Sequence, residues 1–112
     1  MKLLSIEYIP GARIEALGMV KGCSVQSRSF SRDFMAGVKD LIGGELVEYT
    51  EMLDESRRIA VKRMVDEAET LGADAVIGIR YGSAEIATGA AECIAYGTAV
   101  RIIGSDAGPA GK

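Results

Sequence analysis

The residues best suited to chemistry stand together in "EYTEMLDESR", positions 48–57, where Glu48, Glu51, Asp54 and Glu55 fall within two helical turns and Arg57 follows. Glu48, Glu51 and Glu55 form an acid ridge whose oxygens suit a hard cation. With no loop adding carbonyls, such a ridge holds a divalent metal only weakly. A plainer reading competes. Glu45, Glu48 and Glu51 lie where a helix dipole stabilises negative charge. Asp54 and Glu55 precede Arg58 by four and three residues, and Lys62 precedes Asp66 by four, spacings that pair charges along a helix. A solvated, charge-laced face needs no ligand.

Arg57 is more informative. At roughly a hundred degrees per residue it falls about twenty degrees from the centre of the apolar face, between Leu53 and Ala60. An arginine there must snorkel, pair or hold an anion. Its open partners are Glu67 on the shoulder of the same face, a carboxylate on another element, or an acid of a neighbouring subunit. Arg80 ends the run "VIGIRY" on the parity of Val76 and Gly78, which would bring it out beside the helix or at an edge. "QSRSFSRD" gathers Arg28, Ser29, Ser31 and Arg32 at an expected helix start, where an anion suits the chemistry but capping alone accounts for the residues.

Absences narrow the field. The chain has no histidine, which removes the commonest metal ligand and general base. Zinc hydrolysis and Ser-His or Cys-His catalysis are out. Cys23 and Cys93 lie far apart and outside any CxxC spacing, as reduced thiols of a cytoplasmic protein would. Buried free cysteines usually behave as small hydrophobes. Met19, Met35, Met52 and Met64 are spaced as core residues. A net charge of −3 gives no field across the molecule to draw nucleic acid or an anionic membrane. No apolar run reaches the roughly 18 residues of a membrane span, and "MKLLSIEYIPG" lacks the apolar stretch of a signal peptide.

The elements that must position these residues read as strands, helices, then strands. At 112 residues, with 48% apolar, the chain is one globular domain over residues 1–104, followed by an expected disordered tail, 105–112. "KLLSI" is a short strand stopped by Pro10-Gly11. "ARIEALGMVKGCSVQS" is a long strand with a bulge, or a hairpin, since Gly18 and Gly22 interrupt it. Phe30, Phe34, Val38, Leu41 and Ile42 mark a helix ended by Gly43-Gly44. A second helix runs from Glu45 to Leu71, with Leu46, Tyr49, Leu53, Ala60, Met64, Ala68 and Leu71 on its apolar face and Gly72 as its stop. "DAVIGIRY" and "AECIAYGTAVRII" are strands joined through "SAEIATGA", with Gly89 at the turn. The fold class is α+β, helices on one face of a mostly antiparallel sheet. A 27-residue helix is roughly 40 Å long, whereas a compact chain of this size has a radius of gyration of roughly 13 Å. The helix should overrun its domain and offer its Val47, Val61 and Val65 shoulder to a neighbour.

Taken in order, "IPG", "SRD", "GGELVEYTEMLDESRRIAVKRM", "LGADAVIGIRY" and "AAECIAYGTAV" resemble the YbjQ-like family of small bacterial and archaeal proteins, which carries a heavy-metal-binding label. The likeness covers about Leu3 to Ile103. It implies a two-layer sandwich with a β-α-β-β core, similar to a dodecin subunit. It also implies a ring, typically a homopentamer, in which extra short strands join neighbours. It implies no enzymatic activity. The family-like positions are Gly43, Gly44, Glu45, Tyr49, Thr50, Glu51, Arg57, Arg80, Tyr96, Gly97 and Thr98. The function expected is that of a homo-oligomeric binding protein holding a metal ion or small anion at subunit interfaces, through Tyr49, Thr50, Glu51, Arg57, Arg80, Tyr96 and Thr98. The alternative is a structural scaffold without ligand.

Divalent metals are expected to bind weakly through Glu48, Glu51 and Glu55. Titration calorimetry with zinc, copper and cadmium checks this, and a submicromolar, stoichiometric site abolished by Cys→Ser changes would contradict it.

Overall fold

Gly11 takes φ 77°, a left-handed turn that glycine enters without steric cost. It turns the chain from β1 (Lys2–Leu3) into β2 (Ala12–Ser27), and the Ala12 amide closes the turn on the Ile9 carbonyl at 3.0 Å. The computed structural model describes residues 1–27, 44–87 and 90–106. The helix expected from Phe30, with its Ser/Arg cap and Met35, lies outside these residues, as do Gly89 and positions 107–112. Of the two readings of "ARIEALGMVKGCSVQS", the single strand is the one that forms. Its register on the neighbouring strand shifts at Arg13/Ile14 and again around Gly18, whose φ is 143°.

The long helix, α1 (Gly44–Thr70), ends where expected, with Gly72 at φ 75°. β3 (Ala75–Ala87) and β4 (Ala90–Ser105) follow. They run further than their β-branched cores, so most of "SAEIATGA" is strand. The sheet order is β1-β3-β4-β2. β1 runs parallel to β3, and the other two pairings are antiparallel. The fold is α+β, and among the described residues one helix lies on one face of a four-stranded sheet.

Small residues decide how α1 sits. Ser56, Ala60, Met64 and Ala68, four apart, are buried. The core they enter holds Val20, Val76, Cys93, Ala95 and Ala99 from the sheet, with Val61 and Val65 packed partly against it. Gly22 faces the same way, and a methyl there would overlap the Ala60 carbonyl oxygen and the Met64 amide nitrogen. The helix backbone therefore rests on the strand. This moves the centre of the buried face away from the line expected through Leu53 and Leu71. Leu71 is exposed, and Arg57 stands off the edge of the face. Side-chain size set the expected line, whereas close contact selects smallness. On the other side of the sheet Ile9, Ala75, Ile77 and Val100 form a second, smaller cluster. Met64 is core, as its spacing implied, but Met19 lies on the face opposite α1 and is 74% exposed.

The helix also reaches the sheet's edge. The Lys21 amide on β2 donates to Glu67 Oε1 at 2.7 Å, and Arg63 Nη1 donates to the Cys23 carbonyl at 2.7 Å. The expectation of a compact globe is corrected. The radius of gyration is 18.6 Å and the extents are 64 × 26 × 17 Å. Strands of 16 residues reach about 54 Å at 3.4 Å per residue, so the strands overrun the helix and not the reverse.

Gly22→Ala is expected to cost about 3 kcal/mol, the upper range for forcing an extra carbon into a packed core. Urea unfolding of the variant beside the unsubstituted protein measures it, and a change under about 0.5 kcal/mol would place α1 further from β2 than described.

Candidate functional site

Gly78 divides the candidate residues between the two faces of the sheet. Its φ of 63° accompanies a register shift between Ile77 and Arg80 on β4, and such a bulge reverses the alternation beyond it. Arg80 therefore does not follow Val76 to the helix side. It pairs with Tyr96, while Tyr81 pairs with the buried Ala95 and comes to the helix side. Arg80 Nη1 donates to the Ser5 and Ile79 carbonyls at 2.8 and 2.9 Å, and Nη2 stands 3.8 Å from Glu7. Thr98 lies on this face opposite α1 too, paired with Ile77 and half-buried.

On the helix side lies a groove of about 340 Å³. Leu53, Ser56 and Arg57 of α1 form one wall, and Tyr81, Gly82, Ser83, Ala91, Glu92 and Cys93 of the sheet line the rest. A buried Ser56–Ser24 hydroxyl bond of 3.2 Å ties helix to strand at its base. Arg57 and Tyr81 also border a second cleft with Asp54, Arg58 and Val61. Arg57 is 46% exposed and donates to Asp54 at 2.9 Å. Its partner is thus one turn back on its own helix and not Glu67, which caps the Lys21 amide. Glu51 is exposed, and Glu48, Tyr49 and Thr50 belong to the first turns of α1.

The structure brings Arg57 together with Ser56, Tyr81 and Ser83, which the sequence did not single out. It separates Arg57 from Arg80, Tyr96 and Thr98. Two signals pointed to the missed residues: a serine replaces alanine at four-residue spacing before Ala60, and Gly78 stands mid-strand. Chemically the groove offers an aromatic wall, hydroxyls, one guanidinium and, at its sheet side, Cys93 and Glu92. That is equipment for binding.

The other charges on α1 pair as their spacing implied. Arg58 meets Glu55 at 2.6 Å and Lys62 meets Asp66 at 2.9 Å. Each cation's pKa is raised, first by the hydrogen bond to its carboxylate and then by that charge. Asp54, four residues before Arg58, is taken by Arg57. Glu55, one of the three ridge acids, is engaged.

Several known proteins are similar to this chain. Residues 1–103 match the YbjQ family, whose description reads "Putative heavy-metal-binding". A UPF0145 protein of Clostridium novyi is 52% identical over 103 residues, covering 92% of this chain and all of its own. A UPF0145 protein of Thermotoga maritima is 54% identical over 103 residues, 91% of this chain and 97% of its own. A crystal structure of a protein of unknown function from Pediococcus pentosaceus, of the DUF74 family, superposes with a TM-score of 0.66. It shares 17% identity and covers 92% of this chain and 98% of its own, a likeness of fold alone.

A soft heavy metal needs converging thiolates or imidazoles. Cys23 pairs with Ile94 and Ser24 with Cys93, so the cysteines are register neighbours on opposite faces of the sheet. Burial, and then a hydrogen bond from the Cys23 thiol to the Glu92 carboxylate, push the Cys23 pKa up, which disfavours the thiolate. Among the described residues no three His, Cys, Asp or Glu side chains converge to hold a metal. These residues do not fit a closed heavy-metal site within one subunit.

Because the thiolate is the nucleophile, Cys23 is expected to react with iodoacetamide more slowly at pH 8 than a free cysteine. Glu92→Gln should raise that rate, and peptide mass mapping over time reads both. The sign for stability follows: the folded thiol stays protonated above the ordinary range, near 9.0, so Cys23's contribution is intact below that pH and falls as pH climbs beyond it.

Proposed function

The chain belongs to the YbjQ family, and we propose that within it this protein is a homo-oligomeric binding protein, a ring built on five copies, taking a small ligand or ion at subunit junctions. The supporting observation is the elongated subunit. A radius of gyration of 18.6 Å, against roughly 13 Å for a compact chain, leaves the strand arms and the Arg57–Tyr81 groove open to a neighbour. In this reading Tyr49, Thr50, Glu51 and Arg57 of α1 belong to the ligand site, with Ser56, Tyr81 and Ser83. Arg80, Tyr96 and Thr98, on the far side of the sheet, serve assembly. The protein binds and does not catalyse. The acid stripe of Glu48, Glu51 and Glu55 remains the place proposed for weak divalent binding, and no closed metal site enters the reading.

A scaffold without ligand is the second reading, favoured by the Arg57–Asp54 pair, which satisfies the guanidinium within one subunit. Native mass spectrometry of untagged protein is expected to show a species built on five copies with any retained ligand. A monomer at micromolar concentration would overturn the assembly, and another closed number would overturn only the five. Arg57→Ala then separates the readings: an intact assembly that loses its ligand supports binding, whereas dissociation makes the residue architectural.

A further inference from the structure

The face of the long strands opposite α1, whose Arg80, Tyr96 and Thr98 are given to assembly above, carries a charge pattern of its own. Along β2, β4 and β3 the registers place Lys21, Tyr96 and Arg80 in one row, Cys23, Ile94 and Gly82 in the next, and Val25, Glu92 and Ala84 in a third. The middle row is small and apolar. The first row is cationic, although Glu7 shares the charge of Arg80, and the third is anionic through Glu92. Met19, Val25 and Tyr96 on this face are exposed. The subunit presents 7125 Å² to solvent, about 1,200 Å² more than a compact protein of its mass. A stable contact needs roughly 800 Å² from each partner.

We propose that this face packs on the same face of a second copy, about a two-fold axis crossing the strands at the level of Ile94. That operation lays each copy's Lys21–Tyr96–Arg80 row over the other's Val25–Glu92–Ala84 row, placing Tyr96 opposite Glu92 with Lys21 and Arg80 one strand away on either side, twice over. It also sets Cys23 opposite Cys23 across two sheets roughly 10 Å apart. The contact is isologous, whereas ring contacts are head-to-tail. It therefore doubles whatever ring the other surfaces close. It rests on the oligomeric reading only in taking the occupant to be a second copy.

The test is a charge swap read by native mass spectrometry and light scattering at micromolar concentration. Lys21→Glu and Glu92→Lys are each expected to halve the mass of the assembly, and the double swap to restore it. Restoration also shows that neither single variant merely misfolds. Independently, a bis-maleimide linker of about 10 Å should join unsubstituted subunits in pairs through Cys23, and Cys23→Ser should abolish the product. Unchanged masses, or no Cys23-dependent crosslink in an oligomeric protein, would overturn this contact and leave the ring standing. A monomeric unsubstituted protein would overturn both.

Discussion

The bare backbone of Gly22 lets α1 rest directly on β2, and the rest of the subunit follows from that approach. Gly22, Ala60, Ala68, Ala95 and Ala99 keep helix and sheet close. Serines 24 and 56 bridge them within the same layer. A contact this close is well packed but thin. Among the fully buried side chains, Met64 is the largest, so the hydrophobic term, roughly proportional to buried apolar area, is modest for the chain's length. Bulkier side chains such as Met19, Tyr81 and Tyr96 lie outside it. The same choice of small residues that fixes the helix leaves much of the apolar surface exposed.

Gly78 supplies the second constraint. By shifting register it sends Tyr81 to the helix side and Arg80 to the other, so one subunit has two chemically different faces. The groove side combines an aromatic wall with a guanidinium already held by Asp54. The other side alternates charge and small apolar groups in rows. Neither face joins all the polar residues that the sequence singles out.

Much of this architecture was legible in the residues. The 27-residue helix could be read from its periodicity, its stop from Gly72, and the Arg58–Glu55 and Lys62–Asp66 pairs from spacing alone, because each depends on local geometry. What depends on contact between distant segments was not legible. Helical-wheel geometry weighted Leu53 and Leu71, whereas the sheet accepted Ser56 and Ala60, since backbone approach at Gly22 rewards absence of bulk. Strand parity put Arg80 with Val76 because alternation assumes an unbroken register. The nearness of Cys23 and Cys93 in the sheet could not be read from separate segments, and neither could their opposed directions.

One detail of the helix–strand contact reaches beyond packing. A strand on the margin of a sheet offers free amides and carbonyls, a template on which further chains add. In β2 the Glu67 carboxylate occupies the Lys21 amide and the Arg63 guanidinium occupies the Cys23 carbonyl. Two charged side chains thus stand guard over the middle of a 16-residue strand rich in β-branched and small residues. The second half of α1 is then a gatekeeper as well as a core element. Fraying it would unmask those two backbone groups while leaving the β-hairpin of β3 and β4 in place, so protection of this margin is tied to the helix and not to the sheet.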